Sequence, residues 1–118
     1  MKAVLAKNGA LLIETVETAS GLLSRLRGLL GRDGLPVGSG LHITQCGSIH
    51  TFCMKFSLDL LFLDDKNRVV KSVSNVTPWR IVLGGPGACS VLEMATGWFN
   101  AASVRVGDMI EFVAEAGG

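Results

Sequence analysis

The chain lacks any run of apolar residues long enough to cross a membrane. A spanning helix needs about 18 to 20 consecutive apolar residues, and every uninterrupted apolar run here is short. Near the N-terminus, Lys2 and Lys7 flank only four apolar residues, which is too few for the apolar region of an export signal. The sequence therefore predicts no membrane span and a cytoplasmic location.

An excess of charge of one sign is also missing, because 11 lysines and arginines nearly balance 10 aspartates and glutamates. Proteins that bind nucleic acid through its phosphates normally carry a basic surface. Charged residues make up only 18% of the chain and apolar residues 48%, which is not the composition of a disordered protein. We therefore expect one folded domain over residues 1–118 that does not bind nucleic acid.

Short apolar segments separated by turn-forming residues make up most of the chain, without internal repeats, a phosphate-binding glycine loop or a nucleophile elbow. Residues 3–6 and 10–13 flank Asn8-Gly9, a pair that favours a type I′ hairpin turn. This pattern predicts that a β-hairpin opens the domain. Further strands are predicted over 41–46, within 50–63, and over 68–76, 79–83, 89–94 and 109–114.

A second hairpin is predicted between residues 58–64 and 68–76. The first of these segments is too continuously apolar for a half-exposed strand, so we expect it at the centre of the sheet. The intervening turn ends at Asn67, which can adopt the left-handed conformation usually given to glycine.

One amphipathic helix is predicted over residues 20–31, where leucines recur at helical spacing between Ser20 as N-cap and Gly31 as C-cap. A short helical turn is expected over residues 98–102. Because strands are numerous and do not alternate with helices, the pattern favours a mainly β fold. We expect a small antiparallel β-barrel or sandwich-like domain with this one helix near the N-terminus.

Three cysteines in a chain without a recognisable export signal indicate reduced thiols. The intervals of four, four and three residues between His42, Cys46, His50 and Cys53 would place these side chains on one face of a helix and suggest zinc. The β-branched neighbours favour a strand instead. In a strand, residues four apart lie about 13 Å from each other, too far for joint coordination. A bend at Gly47 would bring Cys46 and His50 together, with Cys89 from another strand. A zinc site at Cys46, His50, Cys53 and Cys89 and buried, metal-free cysteines both stay open.

A thiol enzyme is a further alternative. Cys53 or Cys89 would be the nucleophile, His50 its base, and Asp59 the group that orients the imidazole. The spacing of these residues does not demand this chemistry, because such triads are recognised from their geometry in space.

Polar or polarizable side chains also interrupt otherwise apolar strands. Asp59 is expected to find a partner in a backbone N–H, a hydroxyl or a basic group such as Arg80. One interpretation is a polar network that fixes strand order. The other is a pocket with Trp79 as an apolar wall, which binds a small polar molecule or an extended peptide. The candidate binding residues are His50, Met54, Asp59, Trp79, Arg80 and Glu93.

Residues 46–64 resemble the family catalogued as domain of unknown function 192. In that family an Ile-His-Thr or related segment is followed by a methionine and then by an aspartate that leads into an apolar strand. Residues 49–51, Met54 and Asp59 occupy these places here. Further matching pieces are Arg27-Gly28-Leu29-Leu30, Pro78-Trp79-Arg80, Val91-Leu92-Glu93 with Gly97, and Gly107-Asp108.

The resemblance covers about residues 15–113. The chain departs from the family pattern at Ser57, where relatives often carry proline, and at Lys66-Asn67, where a glycine-containing turn is usual. The resemblance implies a barrel-like or sandwich-like β domain with one helix packed on it, and no established reaction. We therefore expect a non-catalytic binding or accessory domain that recognises a small polar ligand or a protein partner. Zinc binding or a thiol-dependent enzyme is the alternative, and the oligomeric state is left open.

Overall fold

The structure is a computed structural model, and it describes residues 1–20, 34–100 and 103–114. These residues form ten strands and one short 3-10 turn, Trp98–Asn100. The strands are β1 (Lys2–Leu5), β2 (Leu11–Ile13), β3 (Thr15–Ser20), β4 (Ser39–Thr44), β5 (Ser48–His50), β6 (Leu58–Leu63), β7 (Val69–Val76), β8 (Ile81–Leu83), β9 (Ser90–Ala95) and β10 (Ile110–Val113).

A five-stranded central sheet with the order β3-β4-β9-β6-β7 lies between two smaller sheets. The three-stranded sheet β10-β1-β2 packs on one face, and the two-stranded ribbon β5-β8 packs on the other. The first core contains Ala3, Leu5, Ile13, Val16, Leu61, Leu63, Val69, Leu92, Met94 and Ile110. The second core contains Leu41, Ile43, Ile49, Met54, Leu58, Leu60, Phe62, Val76 and Val91.

Strand β6 explains why its sequence is apolar at nearly every position. Leu61 and Leu63 belong to the first core, whereas Leu58, Leu60 and Phe62 belong to the second. Successive side chains of a strand point to opposite faces, and both faces of the central sheet are covered. All six positions of β6 are therefore buried, and the prediction of a strand in the interior of the sheet is confirmed.

Both predicted hairpins are present. Strands β6 and β7 pair antiparallel, and Asn67 in their turn has a φ of +61°. Strands β1 and β2 also pair antiparallel. Their connection is longer than a two-residue type I′ turn, since Leu5 accepts a hydrogen bond from Gly9 N–H, and only Gly9 in this loop has a positive φ.

The barrel prediction is wrong for the part of the chain that the structure describes. The central sheet starts at β3 and stops at β7, and these two strands do not pair with each other, so the sheet stays open. The sheet is also not purely antiparallel, because β3 and β4 run parallel from Thr15↔Ser39 to Ser20↔Thr44. The layered, sandwich-like alternative describes the fold better.

The predicted helix over residues 20–31 lies outside the described residues except for Ser20, which ends strand β3. The helix is therefore not borne out, and the 3-10 turn is the only helical element in the described ranges. That turn begins at Trp98, as predicted, and residues 101–102 of the predicted turn lie outside the described part. No helix in the described part of the chain has the length and apolar character needed to span a membrane.

Candidate functional site

The β5-β8 ribbon has one face in the second core and one face in solvent. Ile49 of β5 is buried and Val82 of β8 is half-buried against that core. Because side chains alternate along a strand, the neighbouring residues point outward. The pairs in register are Ser48 with Leu83, Ile49 with Val82, and His50 with Ile81.

Four large apolar side chains are exposed on and beside this outward face. The exposed fraction is 36% for Phe52, 66% for Trp79, 66% for Ile81 and 64% for Leu83. The Phe52 ring stacks on His50 at 5.0 Å between ring centroids and on Trp79 at 5.7 Å. We refer to Phe52, Trp79, Ile81 and Leu83 as the outer patch. Contiguous exposed apolar surface of this kind marks sites of interaction in folded proteins.

Thr51 fastens the two chain segments that carry the aromatic part of the patch. Its side chain is fully buried, and its hydroxyl donates to the Thr77 carbonyl at 2.7 Å and accepts from the Arg80 N–H at 2.9 Å. Its backbone N–H donates to the Arg80 carbonyl at 2.9 Å, and its carbonyl accepts from the Trp79 N–H at 3.0 Å. The Ile-His-Thr segment and the Pro-Trp-Arg segment, which are distant in sequence, are thus one structural unit.

The backbone is strained at one residue of this unit, Trp79, and at Cys53, two residues after Thr51. Trp79 has a φ of +66° and Cys53 a φ of +64°. A left-handed conformation costs a residue with a side chain about 1–2 kcal/mol, and it is an outlier for one as bulky as tryptophan. The hydrogen bonds of Thr51 hold Trp79 in this conformation with its indole largely in solvent. Backbone strain of this kind concentrates at functional sites.

A groove of about 400 Å³ opens beside the outer patch. It is lined by residues 45–50 together with Phe52 and Ile81. Inside it, the Cys46 thiol donates to the Ser48 carbonyl at 2.8 Å. The groove therefore combines an apolar wall with backbone polar groups and one histidine.

Three of the six candidate binding residues lie together at this surface. His50 is on β5, while Trp79 and Arg80 are in the turn that Thr51 holds. The Arg80 side chain is exposed, and its Nε donates to the Thr77 hydroxyl at 3.3 Å. Arg80 therefore presents a positive charge at the rim of the outer patch.

Asp59 lies away from that group, and its carboxylate binds backbone N–H groups. It is 1% exposed, and one carboxylate oxygen accepts from the Asn75 N–H at 2.8 Å. The other oxygen accepts from the Phe99 N–H at 3.1 Å. Asp59 thus links β6 to β7 and to the 3-10 turn. The predicted backbone partner is confirmed, whereas Arg80 instead bonds Thr77.

Met54 and Glu93 lie in the layer beneath the ribbon. Met54 is 7% exposed and belongs to the second core, and Glu93 is fully buried. In register, Glu93 lies between Leu41 and Leu60, which belong to the same core. The structure therefore does not bring these two side chains to the exposed surface where His50 lies.

The thiols do not assemble with the histidines into a metal centre. Cys46 and Cys89 are neighbours through a 2.9 Å backbone hydrogen bond, but the Cys89 thiol donates to the Gly87 carbonyl, and Cys53 is exposed on a turn. Within the described ranges, no three His, Cys, Asp or Glu side chains gather as ligands for an ion. The predicted zinc set therefore gains no support, and the thiol-enzyme alternative loses its orienting carboxylate, because both Asp59 oxygens bind backbone N–H groups.

The second histidine, His42, lies on the face of the central sheet that carries the first core. His42 is 8% exposed, stacks on Phe112 at 4.4 Å between centroids, and its Nε2 lies 3.0 Å from the Ser90 hydroxyl. Burial lowers the pKa of His42 below its ordinary value of 6.5. This histidine is a packing residue far from the outer patch in the layer order.

Sequence reasoning missed three members of the outer patch and the residue that organises it. Ile81 and Leu83 belong to an apolar Ile-Val-Leu strand that suggests full burial, whereas the ribbon has only one covered face. Thr51 and Phe52 lie within residues 46–64, where the sequence alone assigns neither of them a role. The available signal was the motif itself, in which a threonine and an aromatic residue follow His50 directly.

Comparisons with known sequences identify relatives of this chain. The model of the family described as "Uncharacterized ACR", DUF192, matches residues 3–112. A UPF0127 protein of Pyrococcus abyssi is 38% identical over 66 residues, which is 56% of each chain. A UPF0127 protein of Thermococcus sibiricus is 34% identical over 68 residues, 58% of this chain and 44% of the relative. The matched region thus spans about half the length of these curated relatives.

Solved structures match over nearly the whole chain. A protein of unknown function from Novosphingobium aromaticivorans superposes with a TM-score of 0.80 at 18% identity, covering 95% of this chain and 84% of the other. A proposed transcription regulator from Sinorhizobium meliloti gives a TM-score of 0.78 at 22% identity, covering 93% and 89%. At these identities the likeness shows the fold alone. Because the family model matches residues 3–112, this chain belongs to the family of domain of unknown function 192.

Proposed function

We propose that this protein is a non-catalytic binding domain that docks a polypeptide partner on its outer patch. The observation that carries the proposal is the solvent exposure of Phe52, Trp79, Ile81 and Leu83, which lie on and beside one face of a ribbon whose other face is packed in a core. Aromatic and large aliphatic side chains with this arrangement are typical anchors of protein interfaces.

The energy available from one of these side chains is large enough to matter. A tryptophan side chain buries about 150–250 Å² in an interface. Since Trp79 is 66% exposed, covering that exposed part would contribute about 3 kcal/mol at 25 cal/mol per Å². Its strained backbone is already fixed by Thr51, so binding need not order it.

A polypeptide suits the surface better than a small polar ligand. Recognition of a small polar molecule needs several polar groups that converge on one cavity. Of the six candidate residues, only His50, Trp79 and Arg80 lie at this surface, and the intervening area is apolar. A chain with apolar side chains and a few polar groups matches that pattern.

The proposed transcription regulator among the structural relatives raises the question of nucleic acid. The net charge of this chain is +1, and the exposed feature is apolar rather than basic. A role in regulation would therefore be exerted through contact with a protein, because nucleic-acid affinity depends on clustered positive charge.

The test is a selection of short random peptides on the immobilised protein, followed by affinity measurements on the enriched peptides. Trp79→Ala should weaken binding at least tenfold, because it removes the largest exposed side chain of the outer patch. Leu11→Ala is the matched control, since Leu11 is 53% exposed on β2 in the opposite layer. Equal binding by Trp79→Ala, or a selection that enriches no peptide, contradicts the proposal.

A further inference from the structure

Strand β8 turns one of its two backbone edges away from its partner β5. The Thr51 N–H donates to the Arg80 carbonyl at 2.9 Å, and the Gly84 N–H donates to the Gly47 carbonyl at 2.8 Å. Hydrogen-bonded pairs recur at every second residue of an antiparallel ladder. The peptide groups of Ile81 and Leu83, which lie between those pairs, therefore point to the opposite edge.

That edge is largely open. The Leu83 carbonyl accepts from Lys71 Nζ at 2.7 Å. Among the described residues, none pairs with the N–H or carbonyl of Ile81 or with the N–H of Leu83. An edge strand with unpaired peptide groups and exposed apolar side chains is a template for the addition of another strand.

The preceding strand, β7, leaves space beside this edge. Strand β7 is the last strand of the central sheet, and β8 pairs with β5 instead of with β7. The gap between them is a groove of about 440 Å³, lined by residues 73–77 and 80–82. Lys71 reaches across it near Leu83, and the turn of residues 77–80 joins the two strands at its other end. We call this space the β7-β8 groove.

The charge around the β7-β8 groove is of one sign. Arg80 lines it and Lys71 bridges it, while no aspartate or glutamate is among the described lining residues. Both cations are long side chains that can turn toward a carboxylate. The groove is therefore complementary to an extended segment that carries acidic residues.

We propose that β8 accepts an extended, acidic segment of a partner protein as an added β-strand. The segment pairs with the N–H and carbonyl of Ile81 and with the N–H of Leu83. It places alternate apolar side chains on the outer patch and sets a carboxylate beside Arg80. Backbone pairing supplies affinity in this mode of recognition, and alternate side chains supply selectivity. This inference rests on the proposed function and specifies the conformation and charge of the partner.

Substitution of Ile81 separates backbone pairing from side-chain contact. Ile81→Pro removes an N–H that points away from β5, so the β5-β8 ladder keeps its hydrogen bonds. Ile81→Ala is the matched control, because it also shortens the side chain but keeps the N–H. With the tightest peptide from the selection on wild-type protein as probe, we expect Ile81→Pro to bind about fivefold more weakly than Ile81→Ala.

A second measurement avoids altering the protein. The same peptide is prepared with a single backbone N-methyl group at each position in turn. Strand addition predicts that affinity is lost at every second position, because only alternate N–H groups of the peptide face β8. It also predicts an aspartate or glutamate in the enriched peptides, whose binding Arg80→Gln weakens.

The outcomes distinguish this inference from the proposed function. If Ile81→Pro binds as well as Ile81→Ala and N-methylation shows no alternation, while Trp79→Ala still abolishes binding, the partner docks on the patch without adding a strand. A wild-type dimer that Ile81→Pro dissociates and Ile81→Ala does not would identify the occupant as a second copy of this chain and overturn a foreign partner. If Trp79→Ala also binds normally, both proposals are contradicted.

Discussion

Replacement of Thr51 by valine should loosen the junction that holds the outer patch. Valine has nearly the shape of threonine, so it keeps the packing of this fully buried position but removes the hydroxyl. The Thr77 carbonyl then loses its donor and the Arg80 N–H loses its acceptor, at former distances of 2.7 Å and 2.9 Å. The backbone hydrogen bonds of residue 51 are not directly removed.

The expected magnitude follows from those two hydrogen bonds. Each contributes about 1 kcal/mol net, and a buried group left without its partner adds to the loss. We therefore expect Thr51→Val to lower the free energy of unfolding by about 2–3 kcal/mol, a substantial share of the roughly 5–15 kcal/mol of a small domain. Thr51→Ser keeps the hydroxyl and removes one methyl group, which costs about 1 kcal/mol.

Equilibrium urea unfolding, followed by far-ultraviolet circular dichroism, measures both variants against wild type. The slope of the free energy against urea should stay constant if the folded states are equally compact. Thr51→Val should be the less stable of the two variants. If it is as stable as Thr51→Ser, the hydroxyl does not fasten the two segments, and the explanation of how Trp79 is held fails.

Three further predictions concern the framework of the site. Asp59→Ala should lower the free energy of unfolding in urea by about 3 kcal/mol or more, because it removes the acceptor of the Asn75 and Phe99 N–H groups. A loss below about 1 kcal/mol would show that these two hydrogen bonds contribute little to stability. Gly84→Ala should lower the free energy of unfolding by about 1–3 kcal/mol in the same measurement, since the added Cβ would lie 2.6 Å from the Phe62 ring. Unchanged stability would show that the neighbouring atoms move aside without cost. Burial lowers the pKa of His42, so below about pH 6.5 the unfolded chain binds a proton more readily than the folded chain does. The free energy of unfolding should therefore fall as the pH drops below about 6.5. His42→Phe should flatten that part of the stability curve, and an unchanged slope would argue against this histidine as its source.

The sequence predicts those parts of the fold that depend on local patterns. The continuous apolar run of β6, the hairpin that it forms with β7, and the left-handed Asn67 all follow from strand periodicity and turn chemistry. Strand β3 does not, because its sequence alternates weakly and it gains its place by pairing in parallel with β4. Parallel pairing depends on a distant partner, which a single sequence does not reveal.

The candidate site was predictable only in part, for a similar reason. Polar residues in apolar strands identify His50 and Asp59 equally well. In the structure, however, His50 lies at the outer surface, whereas Asp59 binds one backbone N–H group in β7 and one in the 3-10 turn. Strand parity and sheet order, not residue type, decide between these positions. The exposure of Ile81 and Leu83 likewise depends on the absence of a further layer over the ribbon in the described part of the chain.

The central claim is that the outer patch binds a polypeptide, and the fluorescence of Trp79 tests it most directly. The chain has two tryptophans and no tyrosine, so Trp98→Phe leaves Trp79 as the dominant fluorophore. We would titrate this variant with the tightest selected peptide and record the emission. We predict a shift of the emission to shorter wavelength, because binding takes the indole out of water. The shift should saturate at the affinity measured independently. Saturating peptide with unchanged Trp79 emission would show that the partner binds elsewhere, and would contradict the account.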